Sequence, residues 1–255
     1  MTDINGLKDF LDEKADKYNR PAFIESDPVF VPHQYQQKED IEISGFLTAI
    51  IAWGKREIII RNGLRLMDMM GNAPYDFILN HTPSDLKLLD HFVHRTFNGE
   101  DAGYFMKALR HIYTNCGGLE QVFQRHAGHF SLQPAISMFR KEFFSVAPPG
   151  RTAKHISDPA RGSVAKRINM FLRWVVRKDD RGVDFGIWKS VSPPLLSCPM
   201  DIHSGKVARK LGLIRRKQND SRALAELDDN LRKMDPVDPV KYDYALFGLG
   251  IFEKF

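Results

Sequence analysis

Between Val164 and Arg177 the chain places Ile168, Phe171, Leu172, Val175 and Val176 at the spacing of one face of an α-helix, and Met170 and Trp174 extend that apolar surface further round. A helix with so little polar surface persists only where neighbours enclose it. The rest of the sequence supplies such neighbours. Ile43, Phe46, Leu47, Ile50 and Ile51 repeat the helical period within Ile41–Trp53, with Asp40 in N-cap position and Gly54 as a stop. Further helices are expected over Arg56–Met70 (closed by Gly71-Asn72-Ala73-Pro74), Ala102–Tyr113, Ser131–Phe144 (before the breaker Ala147–Gly150), Ile202–Leu211, Ser221–Met234 and Pro239–Leu249. Asp238 stands as the cap of the last, with Pro239 at its first position. Lys178–Pro199 reads as loop, and no strand hairpin or internal repeat is evident. The expected fold class is all-α.

The 255 residues are enough for one large domain or two small ones. No apolar run approaches the roughly 20 residues that span a bilayer, and the polar start, Met1 to Arg20, does not resemble a signal peptide. Two cysteines without CxxC spacing, Cys116 and Cys198, exclude a disulfide framework and a four-cysteine cluster. His155 and His203 have no partner at ligand spacing, so neither a metal nor another cofactor is expected. These features read as a soluble, cytoplasmic protein.

Charge is unevenly distributed. Arg140–Lys217 holds 18 Lys and Arg against 6 Asp and Glu, an excess of 12 in a chain whose net charge is +5, so the remainder is acidic by 7. Such a segment suits a polyanion, nucleic acid before acidic lipid, and equally a solvated face.

Two motifs flank this basic region's loop. Arg161-Gly162-Ser163-Val164-Ala165-Lys166-Arg167 is a glycine turn opening the apolar helix, a form suited to holding one phosphate on backbone amides and cations. Pro199-Met200-Asp201-Ile202-His203 starts a later helix, followed by Lys206, Arg209 and Lys210 on one face. By spacing alone Asp201 is a helix cap, and Lys166 is a phosphate-contacting lysine as readily as a nucleophile.

Taken together, these motifs resemble the helix-hairpin-helix DNA glycosylases, in which a Gly-x-Gly-x-Lys hairpin enters a buried helix and a Pro-x-Asp-x-His-like segment begins a later one. Gly162–Lys166 and Pro199–His203 stand in those places, and their spacing is most similar to the archaeal 8-oxoguanine DNA glycosylases. Ile50–Lys55 resembles the family's DNA-probing turn, and Tyr244–Gly250 its closing helix. The Arg167–Trp174 block is also similar to that of an uncharacterised bacterial family. Val164 replaces the second hairpin glycine, and Trp53-Gly54 stands where the probing Gln would be.

The resemblance implies a two-lobed fold with a cleft: 40–197 as a six-helix lobe, and 1–39 plus 198–255 as the second. It implies base excision on double-stranded DNA, with Lys166 as the amine nucleophile and Asp201 as the essential carboxylate. Arg161, Gly162, Val164, Arg167, Lys206 and Arg209 would face DNA, and Trp53, Asp184 and Trp188 would form the base pocket. A nucleoid location would follow. The alternative is a non-catalytic nucleic-acid-binding module of the same fold; a third reading is a helical protein whose basic stretch meets an acidic partner.

Overall fold

A computed structural model describes residues 4–147 and 150–255; Pro148 and Pro149 of the expected breaker lie outside the described residues. The described chain is all-α. Its helices are α1 (Ile4–Tyr18), α2 (Lys38–Ile50), α3 (Arg56–Met69), α4 (Pro74–Asn80), α5 (Pro83–Leu88), α6 (Gly99–Asn115), α7 (Leu119–Arg125), α8 (Gln133–Phe143), α9 (Lys166–Val176), α10 (Ile202–Lys210), α11 (Ser221–Met234) and α12 (Tyr242–Ile251). One departure is a two-residue-per-strand hairpin, Val93–His94 against Phe97–Asn98, too short to give an alternating pattern in sequence. Among the described residues no helix is long and apolar enough to cross a membrane.

The expected apolar helix is α9, and every residue from Ile168 to Val176 is buried. It packs on α2 inside the larger of two hydrophobic clusters. There the Phe46 ring lies 5.5 to 6.0 Å from Phe105, Phe139, Phe143 and Phe171, so α2, α6, α8 and α9 meet at one aromatic centre. The smaller cluster joins Leu11 and Ala15 of α1 to α10, α11 and α12. Helix α1 lies so close to α12 that a Cβ on Gly248 would meet the Tyr18 ring at 2.0 Å.

The chain passes between clusters near residue 20, not near residue 39. Three proline-started 3-10 turns, Pro21–Ser26, Pro28–Phe30 and Pro32–Gln34, carry Phe23, Val29 and Val31 into the larger cluster. Val240 and Tyr244 enter it from the other end. Fixed proline φ angles organise these turns without any helical period in the sequence.

Buried charge ties the clusters together. Arg173 on α9 pairs with Asp184 at 3.3 Å and with Asp243 on α12, and Arg177 pairs with Asp184 at 2.9 Å, Asp179 at 2.8 Å and Asp238 at 2.8 Å. Buried guanidiniums require such partners, since an unpaired charge in this setting is costly. Asp238 is therefore held by Arg177 and makes no side-chain cap. Asp40 likewise sits inside the first turn of α2, where its Oδ1 accepts from the Tyr75 amide at 2.8 Å, while Gln37 is the N-cap residue.

Candidate functional site

The glycine turn before α9 is built from two left-handed residues. Gly162 has φ 86°, which glycine adopts freely, and Ala165, the N-cap residue of α9, has φ 43° and ψ 42°. A non-glycine residue there is strained. The surroundings hold it: Ser163 Oγ accepts from the Ala165 amide at 3.1 Å, Asn169 Nδ2 donates to the Val164 carbonyl at 2.8 Å, and the Ser221 amide donates to the Gly162 carbonyl at 2.9 Å. The turn is thereby fixed to both α9 and the start of α11, and it delivers Lys166 as the first residue of the buried helix.

Lys166 and Asp201 line one cleft of about 510 Å³, although 35 positions apart in sequence. Its walls come from segments far apart in sequence: Trp53 and Gly54 after α2, Lys166, Met170 and Arg173 of α9, Asp201–Ser204 at α10, and Asp243, Tyr244 and Phe247 of α12. Phe23, Trp53, Tyr244 and Phe247 make much of this wall aromatic.

Burial lowers the Lys166 pKa from its ordinary 10.5; Asp201, Asp27 and Asp243 oppose the shift, while Arg173 reinforces it. None of these carboxylates closes an ion pair with the amine, whose nearest described partner is Met170 Sδ at 3.3 Å.

Asp201 caps α10. Its Oδ1 accepts from the His203 amide at 2.8 Å and the Ser204 amide at 2.9 Å, and its own amide donates to Ser204 Oγ at 2.8 Å. No hydrogen bond from the described residues reaches Oδ2, so one oxygen of this cleft-lining carboxylate is fixed and the other is not. Capping and an oxygen free of that role thus coexist in one side chain.

The other expected site residues divide. Trp53 lines the cleft. Arg167 lies 4.9 Å above the Trp53 ring and donates to the Ile50 carbonyl, and burial brings its pKa down to about 10; it braces the wall from behind and does not line the cleft. Arg161 and Lys206 are exposed. Arg209 is engaged within the chain, donating to the carbonyls of Arg216 at 2.8 Å and Gly205 at 2.9 Å and to Asn219 Oδ1 at 2.7 Å. Val164 packs against the smaller cluster.

Trp188 and Asp184 stand outside the cleft. Trp188 is buried with its Nε1 donating to Glu42 Oε1 at 2.7 Å, and Asp184 is held between Arg173 and Arg177. The long loop folds back because the terminal carbonyls of α9 need donors: the amides of Phe185 and Trp188 reach the carbonyls of Trp174 and Val175 at 2.7 and 2.9 Å. That capture turns Trp188 into the core.

Sequence reasoning missed Asp27, Met170 and Asp243 as cleft residues. Asp243 left a signal, a lone acid in the otherwise apolar helix Tyr242–Ile251, which must find a cation when buried. Asp27 sits among prolines with no periodic context and left none.

Comparison with known proteins gives one family: residues 27–252 match the family described as a protein of unknown function (DUF2400). No curated protein and no solved structure matches.

Proposed function

The chain belongs to the DUF2400 family, and we propose that it is a DNA glycosylase with AP lyase activity, a two-lobed member of the helix-hairpin-helix type acting on damaged bases in duplex DNA. The observation that carries the reading is the meeting of Lys166, an amine with a depressed pKa, and Asp201, a carboxylate with only one oxygen fixed, in one aromatic-walled cleft. A flipped nucleotide needs a pocket with apolar or aromatic faces to replace its lost stacking. A nucleophilic lysine needs a desolvated amine.

In this reading the neutral Lys166 amine bonds to the sugar C1′ as the bond from C1′ to the base nitrogen breaks. Positive charge develops on the sugar, and Asp201 Oδ2 stabilises it across the cleft. Ring opening, in which the nitrogen gives up a proton and O4′ gains one, leaves an iminium linking Lys166 to the sugar, and loss of a 2′ proton to water expels the 3′ phosphate. The carboxylate does not move during the reaction because its other oxygen is pinned to the α10 amides. Fixed charge of that kind needs no reorganisation at the transition state.

Double-stranded DNA is the proposed partner. Arg161 and Lys206 are exposed cations beside the two motifs and would meet the phosphate backbone. The test is borohydride trapping on duplexes carrying an abasic site or an oxidised or alkylated base. A covalent protein–DNA adduct lost in Lys166→Gln supports the enzyme. Salt-sensitive duplex binding without any adduct would turn the reading to a non-catalytic binding module.

A further inference from the structure

The cleft holds a third carboxylate that the chemistry above leaves unused. Asp27 is buried at 7% exposure and caps the turn Pro28–Phe30 by accepting from the Val29 amide at Oδ1, 3.1 Å away. Its Oδ2 takes no hydrogen bond from the described chain, and the residue lines the same cleft as Lys166 and Asp201. A structural cap needs one oxygen and no cavity. Asp201 already supplies the fixed negative charge, and Asp243 is committed to Arg173 and to the Cys198 thiol.

We infer that Asp27 is the acid that protonates the departing base, so that the substrates are damaged bases that are neutral at physiological pH. This rests on the glycosylase reading. As the C1′–N bond breaks, its electron pair goes to the base nitrogen, and the Asp27 O–H proton is delivered to the base. The Asp27 carboxylate remains opposite the cationic sugar adduct on Lys166 and recovers its proton from water. A base already carrying a positive charge leaves without that proton and has no use for Asp27.

The environment supports the protonated form. Burial raises the Asp27 pKa above its ordinary 3.8, against the Val29 amide and the charges of Arg173, Lys166 and Arg56. Asp201, His203, Asp243 and Tyr244 are the other titratable groups lining the cleft. Burial favours the neutral acid over the carboxylate, and the neutral acid is the form that can donate a proton.

The test compares two steps of one reaction in the full-length protein. Release of hypoxanthine and 8-oxoguanine, both neutral, is measured beside cleavage of a duplex with a preformed abasic site, where no base remains to protonate. Asp27→Asn keeps an oxygen for the Val29 amide and removes the acidic proton. The ratio of neutral-base release to abasic cleavage should fall by about 100-fold or more, whereas the same ratio for 7-methylguanine, a cationic base, should hold. An unchanged neutral-base ratio overturns the inference. The wild type gives a second readout, independent of how the variant folds: neutral-base release should lose rate as pH rises through the Asp27 pKa, a limb that abasic cleavage lacks. Absence of that limb overturns it too, as does abasic cleavage with no release of either neutral base. A wild type that cleaves no abasic duplex defeats the glycosylase reading itself.

Discussion

Nζ of Lys166 lies 3.3 Å from Sδ of Met170, one turn further along α9. A thioether is a weak acceptor and carries no charge, so it does little to stabilise an ammonium. The carboxylates that favour the charged amine all act without a closed ion pair, and desolvation outweighs them. This contact underlies the first expectation.

Borohydride trapping by the wild type should rise with pH through a midpoint below the ordinary lysine value of 10.5, because the reactive form is the neutral amine. Met170→Glu would pair the amine with a carboxylate and move that midpoint upward. Pre-steady-state trapping across a pH series measures both, and a midpoint at or above 10.5 in the wild type would contradict the expectation.

Asp201→Asn should leave the melting temperature near that of the wild type, since an amide oxygen still caps α10. Base excision should fall by about 100-fold or more, as when one preorganised electrostatic stabiliser is removed. Asp201→Ala should in addition cost about 1 kcal/mol of stability through the lost cap. Thermal melts beside single-turnover excision separate the two oxygens' roles.

Lys206 and Arg209 share a helix face but should respond differently. Lys206→Ala should reduce the salt slope of duplex binding by up to about one unit with little effect on folding. Arg209→Ala should chiefly destabilise the segment after α10, because its guanidinium holds the Gly205 and Arg216 carbonyls and Asn219. The cost is about 1–3 kcal/mol for charged-group hydrogen bonds. A Lys206→Ala slope equal to wild type would place the phosphate contacts elsewhere.

Two buried acids make stability depend on pH. Burial raises both Glu42 and Asp228 to about 7, above ordinary values of 4.5 and 3.8. Raised folded pKa values mean that the native state binds more protons than the unfolded chain in that interval. The contribution of these two acids to stability should therefore be full near pH 4 and be lost as pH rises toward 7. His81, His94 and His155, whose pKa burial lowers, act in the opposite sense over the lower part of that range. Glu42→Gln and Asp228→Asn should each remove part of the acids' loss. Chemical denaturation at a series of pH values tests this, and variants whose stability changes from pH 4 to 7 just as the wild type's does would refute it.

The long helices were legible because each has three or more turns over which an apolar face repeats, as in Ser221–Met234, whose bounds agree with its sequence pattern. Helices α4, α5 and α7, of six or seven residues, are too short to display that repeat, and the sequence reading passed over them. Helix α1 does carry the period, in Leu7, Phe10 and Leu11, but its polar composition masked it.

For the cleft, sequence alone marked the turn at Gly162, the lysine after it and the capping aspartate, because turn geometry and helix starts depend on nearby residues. It could not say that Trp188 would turn inward to Glu42, that Arg167 and Arg209 would be held by carbonyls of their own chain, or that Asp27 would reach the cleft. Those outcomes depend on which distant groups burial brings together. A buried donor or charge takes whatever partner the packed chain offers, and only tertiary structure decides which one that is.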